Sequence, residues 1–251
     1  MPLRETRIIF LDDLKEALRD KKILVILFFY IALMAFGIKK SSILAGQFYL
    51  ILSSFIFQSH LNLPYEILLF YFVSIAVLPI LSLLISYDCI AGEIGRKTMR
   101  NLATKARRDA IVTGKFLSVF TITIATNLVV FIGAAIYVYT KVGVFYFDQS
   151  LSLFGYLAFY SFYFVSLAVL ASAITSNSTK SLFLGTFFFI IPFFFVYAKK
   201  LLVLSPYYYY KNGFYLLSQN LEPVRDAMMV FLISGIIFLG IALFAFRKRD
   251  L

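Results

Sequence analysis

Two carboxylates five residues apart, Asp88 and Glu93, with the chain's only cysteine, Cys89, between them, are the densest reactive set in this 251-residue sequence. Such a pair at a helix end suits general acid–base work or metal binding; its ordinary role is helix termination and surface ion pairing. A single cysteine excludes an intrachain disulfide, and with one histidine, His60, no Cys/His cluster can build a zinc site. No H-E-x-x-H or G-x-S-x-G is present. Gly114-Lys115 has the last glycine and lysine of a G-x-x-x-x-G-K-[ST] phosphate loop, but Phe116 follows and Asp109 stands where the first glycine belongs. ATP and Mg, if they power this chain, are expected on another polypeptide, and no cofactor or metal is expected on this one.

The elements that must position these residues are apolar. The chain is 61% hydrophobic and 15% charged, with mean hydropathy +0.88, which excludes an ordinary soluble domain. Apolar runs fall at about 23–38, 67–87, 116–139, 151–174, 181–198 and 228–246, each near the ~20 residues a crossing needs. They predict an all-α integral membrane protein with six transmembrane helices. Pro79 and Pro192, and glycines such as Gly133 and Gly240, mark kinks or close packing within these runs. The amino terminus lacks the order of a removable signal peptide, so the first apolar run is expected to stay as an anchor.

Orientation follows from charge. With six crossings and the amino terminus inside, 17 of the 24 Lys and Arg lie on cytoplasmic segments and 7 outside. The positive-inside rule then puts both termini in the cytoplasm of a multi-pass protein, expected in the plasma membrane. A seventh crossing at 43–57 would export either the basic amino terminus or the basic 96–115 loop, so that stretch reads as external, re-entrant or an extension of helix 1. The net charge of +11 is accounted for by a basic face beside anionic lipid headgroups; nucleic acid is not the expected partner. All thirteen acidic residues lie outside the runs or at their ends, which disfavours a proton-driven carrier.

Residues 1–22 form a separate amphipathic interfacial helix, with Phe10, Leu14, Ala17 and Leu18 on one face; the alternative is a solvated lead-in to helix 1. Residues 23–251 form the six-helix transmembrane domain, with a cytoplasmic loop at 88–115 and an external segment at 199–226. In the loop, Ile94, Thr98, Met99 and Leu102 can share one helical face able to seat in a partner's groove; a solvated basic loop fits the pattern equally well. In the external segment, Ser205-Pro206 breaks the chain, and Tyr207 to Tyr210 suit interfacial anchoring or a release gate. The phenylalanines of the fifth run, among them Phe183, Phe187 and Phe194, suit lipid contact or an apolar pathway. Ser172, Asn177, Ser178 and Lys180 suit helix termination or a second partner contact.

The loop resembles that of the type-2 ATP-binding-cassette (ABC) permeases. Their pattern runs Asp or a similar polar residue, Ala-Gly-Glu, Gly-Thr-Leu, a Leu-Leu pair, Pro-x-x-Arg and Gly-Lys entering helix 3. Ala91-Gly92-Glu93, Thr98, Leu102, Arg108 and Gly114-Lys115 match in order; Lys97 stands at the usual glycine, Met99 at leucine, Ala103 at the second leucine and Lys105 at proline. The lead-in Leu14 to Lys22 and the ending Phe244 to Leu251 are also similar to the family's. The resemblance implies an exporter permease without ATPase motifs of its own. Its partners would be a separate ATP-binding subunit and a second permease copy, as homodimer or heterodimer. It implies a coupling helix between spans 2 and 3, with Asp88, Glu93, Thr98, Leu102 and Arg108 as contacts to the ATPase subunit, and that the external segment at 199–226 is re-entrant. Two other readings stay open on the residues: a non-transporting scaffold or anchor for a cytosolic partner, and a polytopic membrane enzyme using Asp88 and Glu93 with a metal.

Overall fold

In the computed structural model the described residues, 2–39, 65–197, 201–216 and 221–249, are helical, with no strand among them. The stretch 43–57 lies outside them. The helices are α1 (Pro2–Ala17), α2 (Lys21–Lys39), α3 (Tyr65–Ser86), α4 (Ala91–Gly95), α5 (Thr98–Lys105), α6 (Arg108–Val142), α7 (Phe147–Ile174), α8 (Ser178–Phe195), α9 (Asn212–Tyr215) and α10 (Glu222–Arg247). Two short 3-10 turns, Leu202–Leu204 and Pro206–Lys211, precede α9.

Among the described residues, five segments are long and apolar enough to cross a membrane: Leu69–Gly95, Arg108–Val142, Phe147–Ile174, Ser178–Phe195 and Glu222–Arg247. Helix α2 adds 19 residues, apolar between its terminal lysines but little buried along its length.

Helix α7 is the axis of the bundle. It packs against α10, α3, α6 and α8, and Tyr156, Tyr160, Phe164 and Ala168 are wholly buried along it. The α7–α10 seam is aromatic: Phe231 lies edge-on to Tyr156 and Tyr160 at 5.6 and 5.5 Å, and Tyr163 meets Phe238 at 5.3 Å. Gly235 allows the approach, since a Cβ there would sit 2.5 Å from the Phe162 ring. Helices α8 and α10 expose their other faces; Phe183, Phe187, Phe194, Ile233 and Phe244 point outward, as lipid-facing residues do.

The intrahelical prolines are accommodated by neighbours. Pro79 has no N–H for the Ile75 carbonyl, and the Tyr160 hydroxyl of α7 donates to that carbonyl at 3.3 Å. Near Pro192 the Tyr207 hydroxyl donates to the Phe189 carbonyl at 3.1 Å, and Ser205 donates to the Pro192 carbonyl at 2.6 Å. The tyrosine run is therefore docked on the bundle: Tyr156 and Tyr71 donate to the Tyr209 and Tyr210 carbonyls at 2.6 and 2.8 Å, and Tyr209 is buried. Of the four tyrosines only Tyr208 is exposed.

Helix α6 begins at Arg108, eight residues before the apolar run that announces it, so 108–115 is helix rather than loop. Charged residues hide its start from a hydropathy reading. Its 35 residues span about 52 Å, against about 30 Å for a hydrocarbon core. Helix α1 lies along the start of α6, and Gly114 is the contact: a Cβ there would fall 2.9 Å from Ile9 Cγ2 and 3.1 Å from the Thr6 carbonyl.

Candidate functional site

The residues singled out in the sequence converge at one end of the bundle, where α3, α7 and α10 finish and α6 and α8 begin. The chain leaves α3 at Ser86 and turns through Tyr87 to Ile90, buried against the end of α7. Ser172 organises the turn. Its hydroxyl accepts from the Ile90 and Ala91 N–H groups at 3.1 and 3.0 Å and donates to the Tyr87 carbonyl at 3.2 Å, with Cys89 Sγ 3.7 Å away. Gly92 leaves room for the Asp88 carboxylate, and the Ser178 hydroxyl at the start of α8 donates to Asp88. Arg96 approaches Asp88 at 4.0 Å. Asn177 caps α8, its side chain accepting from the Lys180 N–H at 2.9 Å.

Beneath this turn lies a buried charge cluster. Lys115 of α6 is 3% exposed; its Nζ is 2.5 Å from Glu93 Oε1 and 3.2 Å from each carboxylate oxygen of Asp13. Burial of an ammonium demands such partners, because an unpaired charge there costs several kcal/mol. The sequence reading placed Asp13 on the polar side of α1. The structure turns it inward with Ile9 and Ala17 because Lys115, 102 residues away, lies there, and Leu18 is exposed instead. Burial pushes the Asp13 carboxyl above its ordinary value of 3.8, with Lys115 opposing the shift. The cluster edges a cavity of about 110 Å³ whose lining includes Glu16, Asp20, Asp88 and Ser118.

The loop is two helices and not one. Between α4 and α5, Lys97 takes left-handed backbone angles (φ 63°), the only positive φ among described non-glycine residues. That bend sits where the resemblance places a glycine, and it separates Ile94 from the face carried by α5. Thr98 ties the halves together, its hydroxyl donating to the Glu93 carbonyl at 3.2 Å. On α5, Met99 is buried and Leu102 packs half-buried against the bundle.

Arg108 serves the opposite corner. Its guanidinium donates to the Arg247 and Arg249 carbonyls at 2.6 and 2.7 Å, satisfying the end of α10. Arg247 forms a fork to Asp109 with both bonds at 2.5 Å, and Arg249 donates to the Ala173 and Thr175 carbonyls at the end of α7. Glu5 of α1 accepts the Arg107 N–H at 3.0 Å.

The five residues thus occur at one end but engage different helices: Asp88 reaches α8, Glu93 reaches Lys115 of α6, Thr98 joins α4 to α5, Leu102 seats α5 and Arg108 reaches α10. Asp88 and Glu93 border the same cavity but pair with different partners, Ser178 and Lys115, and among the described residues no group of three His, Cys, Asp or Glu side chains is placed to hold a metal. Sequence reasoning missed Asp13, Ser172 as the organiser of the turn, and Arg247 and Arg249; Gly114-Lys115 beside a charged amphipathic helix was the available signal for the first.

A family model described as ABC-2 family transporter protein matches residues 7–251. No curated protein matches the chain.

Proposed function

This chain belongs to the ABC-2 family of transporter proteins, and from that premise we propose that it is the membrane permease subunit of an ABC exporter. It is a multi-pass integral membrane protein; in the proposed arrangement α2 supplies a sixth crossing, both termini are cytoplasmic, and the membrane is the cell membrane. ATP and Mg bind a separate nucleotide-binding subunit, the chain itself catalyses nothing, and a second permease copy, identical or related, completes the pathway. Helix α1 lies at the membrane surface, α4 and α5 form the coupling element, and residues 199–226 re-enter from the outside.

The observation that carries this reading is the wiring of the turn after α3. Push α4, and Glu93 presses on Lys115 and through it on α6 and Asp13 of α1. The same push reaches α8 through Asp88 and α7 through Ser172. A rigid-body displacement delivered to 88–109 is thereby passed to several spans, which is what exchange between inward-open and outward-open states requires.

Topology and partnership are tested together. In a Cys89→Ala background, Arg100→Cys should react with a membrane-impermeant maleimide only from the cytoplasmic side; reaction from outside overturns the reading. Co-purification should bring down a polypeptide carrying G-x-x-x-x-G-K-[ST], and transport should fail when Leu102→Asp unseats α5. A chain that binds a cytosolic partner without hydrolysing ATP or moving solute would be a scaffold.

A further inference from the structure

Helix α5 turns its apolar residues toward the protein: Met99 is 1% exposed, and Leu102 and Ala103 pack against the core. The face left for a partner is cationic. Arg96, Lys97, Arg100, Lys105 and Arg107 are exposed, and the sequence from Ile94 to Arg108 contains no Asp or Glu. The carboxylates just before it are committed elsewhere, Glu93 to Lys115 and Asp88 chiefly to Ser178, with Arg96 only 4.0 Å from Asp88 and 60% exposed. The bend at Lys97 sets the two basic halves at an angle and carries its own side chain outward. No apolar stripe remains on α5 to fill a hydrophobic groove.

Resting on the permease reading, we infer that the nucleotide-binding subunit meets α5 through an acidic groove, and that this contact is held by charge complementarity rather than by an apolar helix face. Charge-held docking is steered and salt-sensitive, whereas apolar docking is neither. The bend at Lys97 also makes the patch broad, so several carboxylates on the partner are required and no single residue carries the contact.

The test uses the complete permease purified with its ATP-hydrolysing subunit, the latter identified by its G-x-x-x-x-G-K-[ST] peptide. Raising sodium chloride from about 0.1 to 1 M shortens screening from about 10 to about 3 Å, and the retained subunit is expected to fall about tenfold. Arg100→Glu with Lys105→Glu should lower retention at 0.1 M by about tenfold or more and remove the salt dependence, with unfolding temperature unchanged because both side chains are exposed. Arg100→Gln with Lys105→Gln should fall between. Equal retention of wild type and charge-reversed protein at every salt overturns the inference while leaving the permease reading intact. Charge reversal that spares the subunit but strips phosphatidylglycerol from the purified protein assigns the patch to lipid headgroups and also overturns it. A wild type that retains no ATP-hydrolysing subunit at any salt sinks the permease reading itself, and this inference with it.

Discussion

Lys115 Nζ and Glu93 Oε1 lie 2.5 Å apart, the lysine 3% exposed and the carboxylate 19%. The pair fastens the short helix after α3 to the first turns of α6, and Asp13 brings α1 to the same ammonium at 3.2 Å. Two carboxylates for one cation make the cluster redundant in one direction only. Glu93→Gln leaves Lys115 one partner and should lower stability modestly, while Asp13→Asn removes a charge that burial already disfavours and should change stability little. The double variant strands a buried charge and should cost about 3–5 kcal/mol, more than the sum of the singles. Adding Lys115→Met should restore most of the loss. Thermal unfolding in detergent reads all four.

The Asp13 carboxyl, raised above 3.8 by burial, fixes the sign of a pH effect. A carboxyl with a folded value above its unfolded one binds its proton more tightly when folded. Its contribution is full below 3.8 and is lost as pH rises through the raised value. Relative to Asp13→Asn, the wild type should therefore lose unfolding temperature on going from below pH 3.8 to neutrality, with a constant difference beyond. A difference that grows in the opposite direction contradicts the burial described for Asp13.

Lys97 holds left-handed angles that cost a side chain about 1 kcal/mol. Lys97→Gly should raise stability by about 0.5–1 kcal/mol, and Lys97→Val should lower it by at least as much, both read from denaturation midpoints. The position is exposed, so packing does not complicate the comparison.

Ser172→Ala removes the acceptor of two buried N–H groups, those of Ile90 and Ala91. A loss of about 1–3 kcal/mol is expected. Because Cys89 is the only thiol and lies against Ser172, its modification rate by a maleimide should rise in the variant. An unchanged rate would mean that Ser172 does not hold the turn closed.

Gly114→Val places carbon against Ile9 and the Thr6 carbonyl, at 2.9 and 3.1 Å from the Cβ alone. Helix α1 should separate from α6 and become open to limited proteolysis near Arg4 and Arg7, while Gly133→Val, which meets nothing within 4 Å, should leave the digestion pattern unchanged.

How much of this was written along the chain depends on how local each cause is. The predicted run at 67–87 became Tyr65–Ser86 and that at 151–174 became Phe147–Ile174, because an unbroken apolar run is a local property. The start of α6 at Arg108 was hidden, since a charged first turn looks like a loop until Glu5, Asp13 and Arg247 arrive from distant sequence to meet it. The single face proposed for Ile94 to Leu102 failed at one backbone angle, that of Lys97, which no periodicity reveals. Glu93 and Arg108 stood out through their pattern, but what they touch was not legible: Lys115 is 22 residues away from the first and Arg247 139 from the second. Tyr207 and Tyr209 looked like interfacial residues because sequence cannot see the Phe189 carbonyl that the Tyr207 hydroxyl meets, or the Tyr156 hydroxyl that donates to the Tyr209 carbonyl.

A rod of about 52 Å set in a layer of about 30 Å must overhang it, and in α6 the overhang is the segment clasped by α1 and Glu93. If the rod pivots at its midpoint, a tilt of about 10° swings each tip by about 4.5 Å. In the proposed permease the helix would act as a lever, with its handle outside the lipid and its load at the far leaflet.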